Sequence, residues 1–227
     1  MAPIHHAVRA GDAEALRQLL ESGESPDALY VENAFQRSKT PLHCLCGHDN
    51  GGDRAACFEL LRDAGANLEA SDFQRYRPLH YAAEKASVEL VSLLVQARVN
   101  VDATGNHGAT ALHLAARFLH GRTNDCVDVL LANGASVNAR DSSGETPFDV
   151  ALSHHCRRMW PLFLRAGAEI PTDNTDPYIV RVTNAGGWKK YAHQHLARVT
   201  LILAPTPLLP PELVRKVLEY WLHAGYY

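Results

Sequence analysis

The chain has 227 residues, 46% of them hydrophobic, which is enough for a substantial core and excludes an intrinsically disordered protein. Its formal net charge of −3 provides no overall positive field to collect nucleic acid or an anionic membrane surface. The five cysteines lack the spacing of a secreted disulfide framework and favour a reducing compartment. The N-terminus has no signal-peptide pattern, and no stretch approaches the roughly 20 apolar residues of a membrane span. We therefore expect a monomer in the cytoplasm or nucleus, without nucleic-acid or membrane partners.

Two short phrases alternate along the chain. The first is Thr-Pro-Leu-His with small apolar residues after it, and variants of it stand at 40–43, 77–83, 110–116 and 146–151. A degenerate copy stands at 3–7. The second phrase is a Leu-Leu pair that leads to Gly-Ala, as at 60–67 and 130–138. The repetition predicts five units, at about 1–36, 37–73, 74–106, 107–142 and 143–170.

Each unit is predicted to contain two helices and a projecting turn. A threonine before a proline supplies an N-cap and a first helical residue, so the first helix begins there. The second helix ends at a glycine that can take the left-handed conformation, which predicts ends at Gly65, Gly134 and Gly167. Pro161 falls inside the second helix of the fifth unit, so that helix is predicted to start late or to kink. Because one unit cannot bury its apolar face alone, the units must stack.

The two phrases closely resemble the ankyrin consensus, TPLHxAA in the first helix and LLxxGAxxN at the end of the second, over about residues 1–170. The resemblance implies an all-α ankyrin-repeat solenoid, with antiparallel helix pairs and projecting β-turn fingers. It also implies a non-catalytic scaffold that binds another protein. The units exceed the usual length of about 33 residues at the finger 27–39 and at the turns 47–53 and 120–124. Insertions in a solenoid lie on exposed loops, so these segments distinguish this protein from its relatives.

Histidines and cysteines raise the alternatives of catalysis and zinc binding. The histidines His43, His80 and His113 share one slot in successive units, where the resemblance implies hydrogen bonds that tie unit to unit instead of general-base chemistry. Cys44 and Cys46 point roughly 200° apart on a helix and cannot share an ion, so small buried side chains explain them better. No nucleophile stands in a recognisable setting and no phosphate loop is evident. We expect no enzyme activity, no cofactor and no metal.

The resemblance also implies where a partner binds. Ankyrin stacks recognise proteins on the concave face made by the finger tips and the exposed side of the first helices. Aromatic residues and arginines on such a face are enriched at binding hot spots. For Tyr76 and Phe118 the alternative is packing between adjacent fingers or under the turn after His120. The predicted partner-binding residues are Tyr30, Phe35, Arg37, Phe73, Gln74, Arg75, Tyr76, Glu84, Lys85, His107, Arg117 and Phe118.

After Ile170 a polar, proline-bounded connector leads into a C-terminal helical segment, 171–227. Asp176 before Pro177 predicts a helix start, and an amphipathic helix with a basic start is predicted from Trp188 to Leu203. We expect the segment to cap the open apolar end of the stack. Alternatively, the segment docks onto a ubiquitin ligase. The residues Leu-Pro-Pro-Glu-Leu at 209–213, with the helix after them, resemble the first helix of an F-box. The protein would then be a substrate-recognition adaptor of a ubiquitin ligase.

Overall fold

The computed structural model describes residues 3–30, 38–48, 51–117 and 123–203, and residue 216 within a helix. In these ranges the fold is all-α, as predicted, and the extended pairing is one antiparallel bridge between Tyr30 and Lys39. The chain divides into two compact units, Met1–Pro147 and Phe148–Tyr227. The predicted domain boundary after Ile170 lies inside the second unit, because aromatic side chains of the fifth repeat pack against the helices that follow it.

The first unit is a row of helix pairs. Each first helix contacts the first helix of the next repeat, and each second helix contacts the next second helix, which is the stacking of a solenoid. The first helices are α1 (Pro3–Ala10), α3 (Pro41–Gly47), α5 (Pro78–Glu84) and α7 (Ala111–Arg117). The second helices are α2 (Ala13–Glu21), α4 (Arg54–Asp63), α6 (Val88–Gln96) and α8 (Thr123–Ala132).

Local sequence chemistry sets where these helices begin and end. The helix α3 starts with a proline after Thr40 in a capping box, and α4 is capped by Asp53, whose side chain accepts the backbone N–H of Ala56 at 2.9 Å. The predicted glycine ends are confirmed: φ is +82° at Gly65, +86° at Gly134 and +91° at Gly167. The equivalent position after α6 is an arginine, which the pattern of glycines did not predict.

The core runs through the middle of the helix pairs. Its first-helix part comes from the Pro-Leu-His phrase, where Leu42 and Leu112 are almost fully buried, and the second helices add Phe58, Leu90 and Leu130. Each such side chain contributes on the order of 1.5–3 kcal/mol through removal of apolar surface from water. Because the two phrases recur in each repeat, the buried apolar faces of successive helix pairs stack on one another. This stacking positions the fingers.

The second unit contains α9 (Pro147–Ser153), which begins at the boundary, then α10 (Trp160–Ala166), α11 (Pro177–Asn184) and α12 (Trp188–Leu203). Pro161 lies in the first turn of α10, so the prediction of a late helix start is confirmed. Asp176 caps α11 by accepting the N–H of Tyr178 at 2.8 Å, also as predicted. Rings of Trp160, Tyr178 and Tyr191 pack in sequence across α10, α11 and α12.

Among the described helices, none is both long enough and apolar enough to cross a membrane. The stretch 209–213 that resembles an F-box helix lies outside the described residues. Capping of the stack by residues 171–227 stays a prediction.

Candidate functional site

A row of buried histidines joins the repeats of the first unit. The Nδ1 atom of His43 accepts the N–H of Thr40 at 3.2 Å, and its Nε2 lies 3.1 Å from the carbonyl oxygen of Tyr76 in the next repeat. His80 repeats this geometry, with Nδ1 accepting the N–H of Arg77 at 3.1 Å and Nε2 lying 3.3 Å from the oxygen of Ala109. The predicted structural role of these histidines is confirmed.

The same slot holds a histidine in the repeats on either side. His113 accepts the N–H of Thr110 at 3.1 Å, and its Nε2 lies 3.0 Å from the oxygen of Glu145. His5, which our sequence analysis did not single out, lies with its Nε2 3.3 Å from the oxygen of Lys39. The signal was present, because residues 3–5 read Pro-Ile-His where other units read Pro-Leu-His.

The hydrogen bonds define the protonation state of the histidines. An Nδ1 that accepts a backbone N–H leaves the ring proton on Nε2, which then donates to the carbonyl of the following repeat. Burial lowers the pKa of His43 below its ordinary value of 6.5 and lowers that of His80 to about 4. These rings are neutral hydrogen-bonding braces at neutral pH, and both ring nitrogens are occupied by the fold.

The five cysteines are free thiols with buried side chains. The exposed fractions of Cys44 and Cys46 are 1% and 0%, which fits the prediction that they are small core residues. Burial raises the pKa of Cys46 to about 12 and that of Cys57 to about 11, so both thiols stay protonated. Across the described ranges, no group of three or more His, Cys, Asp or Glu side chains is placed to hold a metal ion.

The third-repeat finger, residues 72–76, is held rigidly by one buried carboxylate. The Oδ1 atom of Asp72 accepts the N–H groups of Gln74 and Tyr76 at 2.8 and 2.9 Å, and its Oδ2 accepts the Tyr81 hydroxyl at 2.6 Å. The N–H of Asp72 in turn donates to the oxygen of Tyr76 at 2.9 Å. Asp72 and Tyr81 were missed from sequence, although Asp141 starts the fifth-repeat finger in the same way.

Two side chains stand at the tip of this finger. The ring of Phe73 is 52% exposed, and Arg75 is exposed with a backbone φ of +61°. The equivalent residues of the next two fingers are glycines with positive φ, Gly108 and Gly144. A left-handed conformation costs a non-glycine residue about 1–2 kcal/mol, so the finger carries its arginine at an energetic disadvantage.

Tyr76 points inward from the same finger. Its ring is half-buried and lies 5.3 Å from the ring of His80 and 6.1 Å from that of Tyr81, measured between centroids. A Cβ atom added to Gly105 in the next finger would lie 2.2 Å from the Tyr76 ring. Burial raises the pKa of the Tyr76 hydroxyl. Of the two interpretations for this residue, packing between adjacent fingers is the one that the structure supports.

Tyr30 requires a correction. It is predicted as a contact near a finger tip, but only 8% of it is exposed, and its ring lies 5.3 Å from that of His5 with the guanidinium of Arg9 at 5.5 Å. A backbone β-bridge joins Tyr30 to Lys39 at the base of the long finger. A side chain that is buried in this way has no surface to offer a partner.

The remaining predicted residues divide by exposure. Lys85, His107 and Arg117 are exposed, while Gln74 and Glu84 are half-buried. Leu29, which was not predicted from the sequence, is 62% exposed at the base of the long finger. Phe35, Arg37 and Phe118 lie outside the described residues.

Comparison with known proteins identifies the repeats. Family models described as ankyrin repeats match residues 49–141 and 124–159. A human protein, SH3 and multiple ankyrin repeat domains protein 2, is 32% identical over 67% of this chain, but the match covers only 8% of that relative. Human B-cell lymphoma 3 protein is 31% identical over 66% of the chain, with 34% of the relative covered.

Neurogenic locus notch homolog protein 1 of Xenopus laevis is 34% identical over 65% of the chain, with 5% of the relative covered. The chain therefore spans well under two thirds of the length of these relatives, and what they share with it is the repeat region. The matched repeats, the stacked helix pairs and the histidine slot agree, and the chain is an ankyrin repeat protein.

Proposed function

We propose that the chain is a non-catalytic interaction module that binds a partner protein on its finger face, centred on Phe73. The finger face consists of the described fingers and the exposed side of the first helices in the first unit. Its predicted contact residues are Phe73, Gln74, Arg75, Glu84, Lys85, His107 and Arg117.

The observation that carries this proposal is an exposed aromatic ring on a rigid support. Large apolar side chains are among the residues that dominate binding energies, since they bury much area and have few rotatable bonds. Asp72 precedes Phe73 and accepts the backbone N–H groups of Gln74 and Tyr76 after it, so little conformational entropy is lost when a partner covers the ring. An exposed phenylalanine on a rigid turn contributes nothing to the hydrophobic core. Contact with a partner protein explains why a large apolar side chain stands there.

The adaptor alternative keeps the same face for substrate and adds a ligase contact through 209–213. Those residues lie outside the described ranges, and adaptor function stays a prediction. A place in the cytoplasm or nucleus belongs to our proposal as well, supported by five buried thiols in reduced form.

Replacing Phe73 with alanine is expected to weaken binding about 10-fold or more, the loss typical of a hot-spot side chain. The probe is a set of peptides selected from a random-sequence display library on the immobilised full chain, with affinities measured by fluorescence anisotropy. Val180→Ala is the matched control, because Val180 is an exposed apolar residue of the second unit. If every selected peptide binds Phe73→Ala and the wild type equally well, the finger face is not the binding surface.

A further inference from the structure

Charge is segregated on the first unit in a way that the net charge of −3 conceals. The basic residues that belong to the fingers and first helices and are exposed or half-buried are Arg9, Lys39, Arg75, Arg77, Lys85, Arg117 and Arg140, of which Arg77 pairs with Glu69. The second helices instead carry exposed acidic residues, which include Glu14, Glu21, Asp63, Glu89 and Asp125. Exposed arginines on the second helices pair with acids of their own helices, as Arg62 does with Asp63 at 2.9 Å. The finger face is therefore the more positive side of this unit.

The carboxylates of the finger face form no ion pair with Arg75 or Lys85 in the described part of the chain. Asp72 and Asp141 use their oxygens to accept backbone N–H groups inside their own fingers. Glu84 is half-buried. Beside the larger effect of burial, it raises the pKa of the Tyr76 hydroxyl and Arg117 lowers it, so both side chains lie around the third finger. Asp102 and Glu145 are exposed acids of the two fingers that follow, and Asp102 accepts the backbone N–H of Ser136 at 2.8 Å. Cations remain in excess where Phe73 is displayed.

Arg75 is the most informative of these cations. It occupies a left-handed position where the next two fingers have glycine, and its side chain makes no hydrogen bond or ion pair with the described part of the chain. Strained backbone residues cluster at functional sites, although Arg98 has the same conformation outside the finger face. Lys85, at the end of α5 in the same repeat, is likewise exposed and makes no such contact with the described residues.

We propose that the partner protein presents an acidic segment with a large apolar side chain, and that its carboxylates pair with Arg75 and Lys85 while the apolar side chain covers Phe73. This inference rests on the proposed function and adds the chemistry of the partner. The planar guanidinium of Arg75 offers paired donors to a carboxylate. The acidic second helices repel the same segment, so encounter is directed toward the fingers.

The test compares two arginines that share exposure and backbone conformation but lie at different positions in the repeat. Arg75 and Arg98 are both exposed and both left-handed, with φ of +61° and +64°, but Arg98 follows the second helix α6. Substitution by glycine removes one charge and one strained residue in each case, so neither variant is expected to unfold. The probe is the pool of random-sequence display peptides selected on the full chain.

We expect the selected peptides to be enriched in Asp and Glu beside an aromatic or aliphatic residue. Their affinity should fall roughly 10-fold for Arg75→Gly and less than about 2-fold for Arg98→Gly, and it should weaken as NaCl rises from about 50 to about 500 mM. If both variants lose the same peptide affinity, the loss comes from the change in net charge and not from the position of Arg75, and the inference is overturned.

Three further outcomes separate the inference from the proposed function. Peptides that depend on Phe73 but carry no excess of acidic residues would overturn the inference and leave the proposed function standing. Peptides that ignore Phe73 altogether would overturn both. Displacement of the peptides by a single-stranded RNA oligonucleotide, with direct RNA binding that is lost in Arg75→Gly, would assign the cationic face to nucleic acid and also overturn the inference.

Discussion

Replacing His80 with alanine is expected to lower the free energy of unfolding by about 3 kcal/mol. The imidazole accepts the N–H of Arg77 and reaches the carbonyl of Ala109 in the next repeat, and its removal leaves both partly buried backbone groups without these bonds. Chemical denaturation measures the loss. His6→Ala is the control, because His6 is exposed on α1 and its loss is expected to change stability by less than about 0.5 kcal/mol.

The same histidine predicts a pH dependence. The unfolded chain protonates His80 near pH 6.5, whereas the folded chain protonates it only near its lowered pKa of about 4. Between these values the unfolded state binds more protons, so stability is complete above pH 6.5 and falls as the pH drops toward 4, by roughly 3 kcal/mol for this group. The lowered pKa values of His5 and His43 act in the same direction. His80→Ala should show a shallower decline, and an unchanged decline would contradict the histidine account.

Replacing Gly11 with alanine is expected to destabilise the first repeat by about 3 kcal/mol. Gly11 has a φ of +67°, and an added Cβ would lie 2.5 Å from the oxygen of Gly51 and 2.7 Å from the Cα of Gly52, backbone atoms that cannot rotate away. The oxygen of Gly11 also accepts the N–H of Asp53 at 2.9 Å, which holds the two turns together.

The matched control for this substitution is Gly23→Ala. Gly23 has a φ of +94° but open space around its Cβ position, so only the backbone penalty of about 1 kcal/mol applies. Thermal or urea denaturation of the two variants separates backbone strain from the close contact between turns. Equal losses for both variants would mean that the turns do not approach as closely as described.

Helix starts and ends that depend on a few neighbouring residues, repeated from unit to unit, were predicted correctly. A threonine or aspartate before a helix, a glycine after it and a proline in its first turn act within a few residues, so Gly65, Gly134 and Pro161 were interpreted without knowledge of the fold. The histidine slot was recognised because it recurs with the repeat. Its significance lies in a carbonyl of the following unit, a contact that only the family resemblance implied.

Features that depend on the neighbouring finger were not predictable in this way. Tyr30 and Tyr76 are aromatic residues of fingers, as Phe73 is, but Tyr30 is buried against His5 and Tyr76 packs toward Gly105. Which ring turns inward is decided by the space that another repeat leaves. The strain at Arg75 was hidden for a different reason, since arginine carries no signal for positive φ and only comparison with Gly108 and Gly144 exposes it.

Hydrogen–deuterium exchange of the full chain, with and without a selected peptide, tests most directly whether a partner binds the finger face. We expect slower exchange at residues 72–77 and 105–110, with the second helices α2 and α4 unchanged. Protection confined to the second helices, or to the second unit, would contradict it.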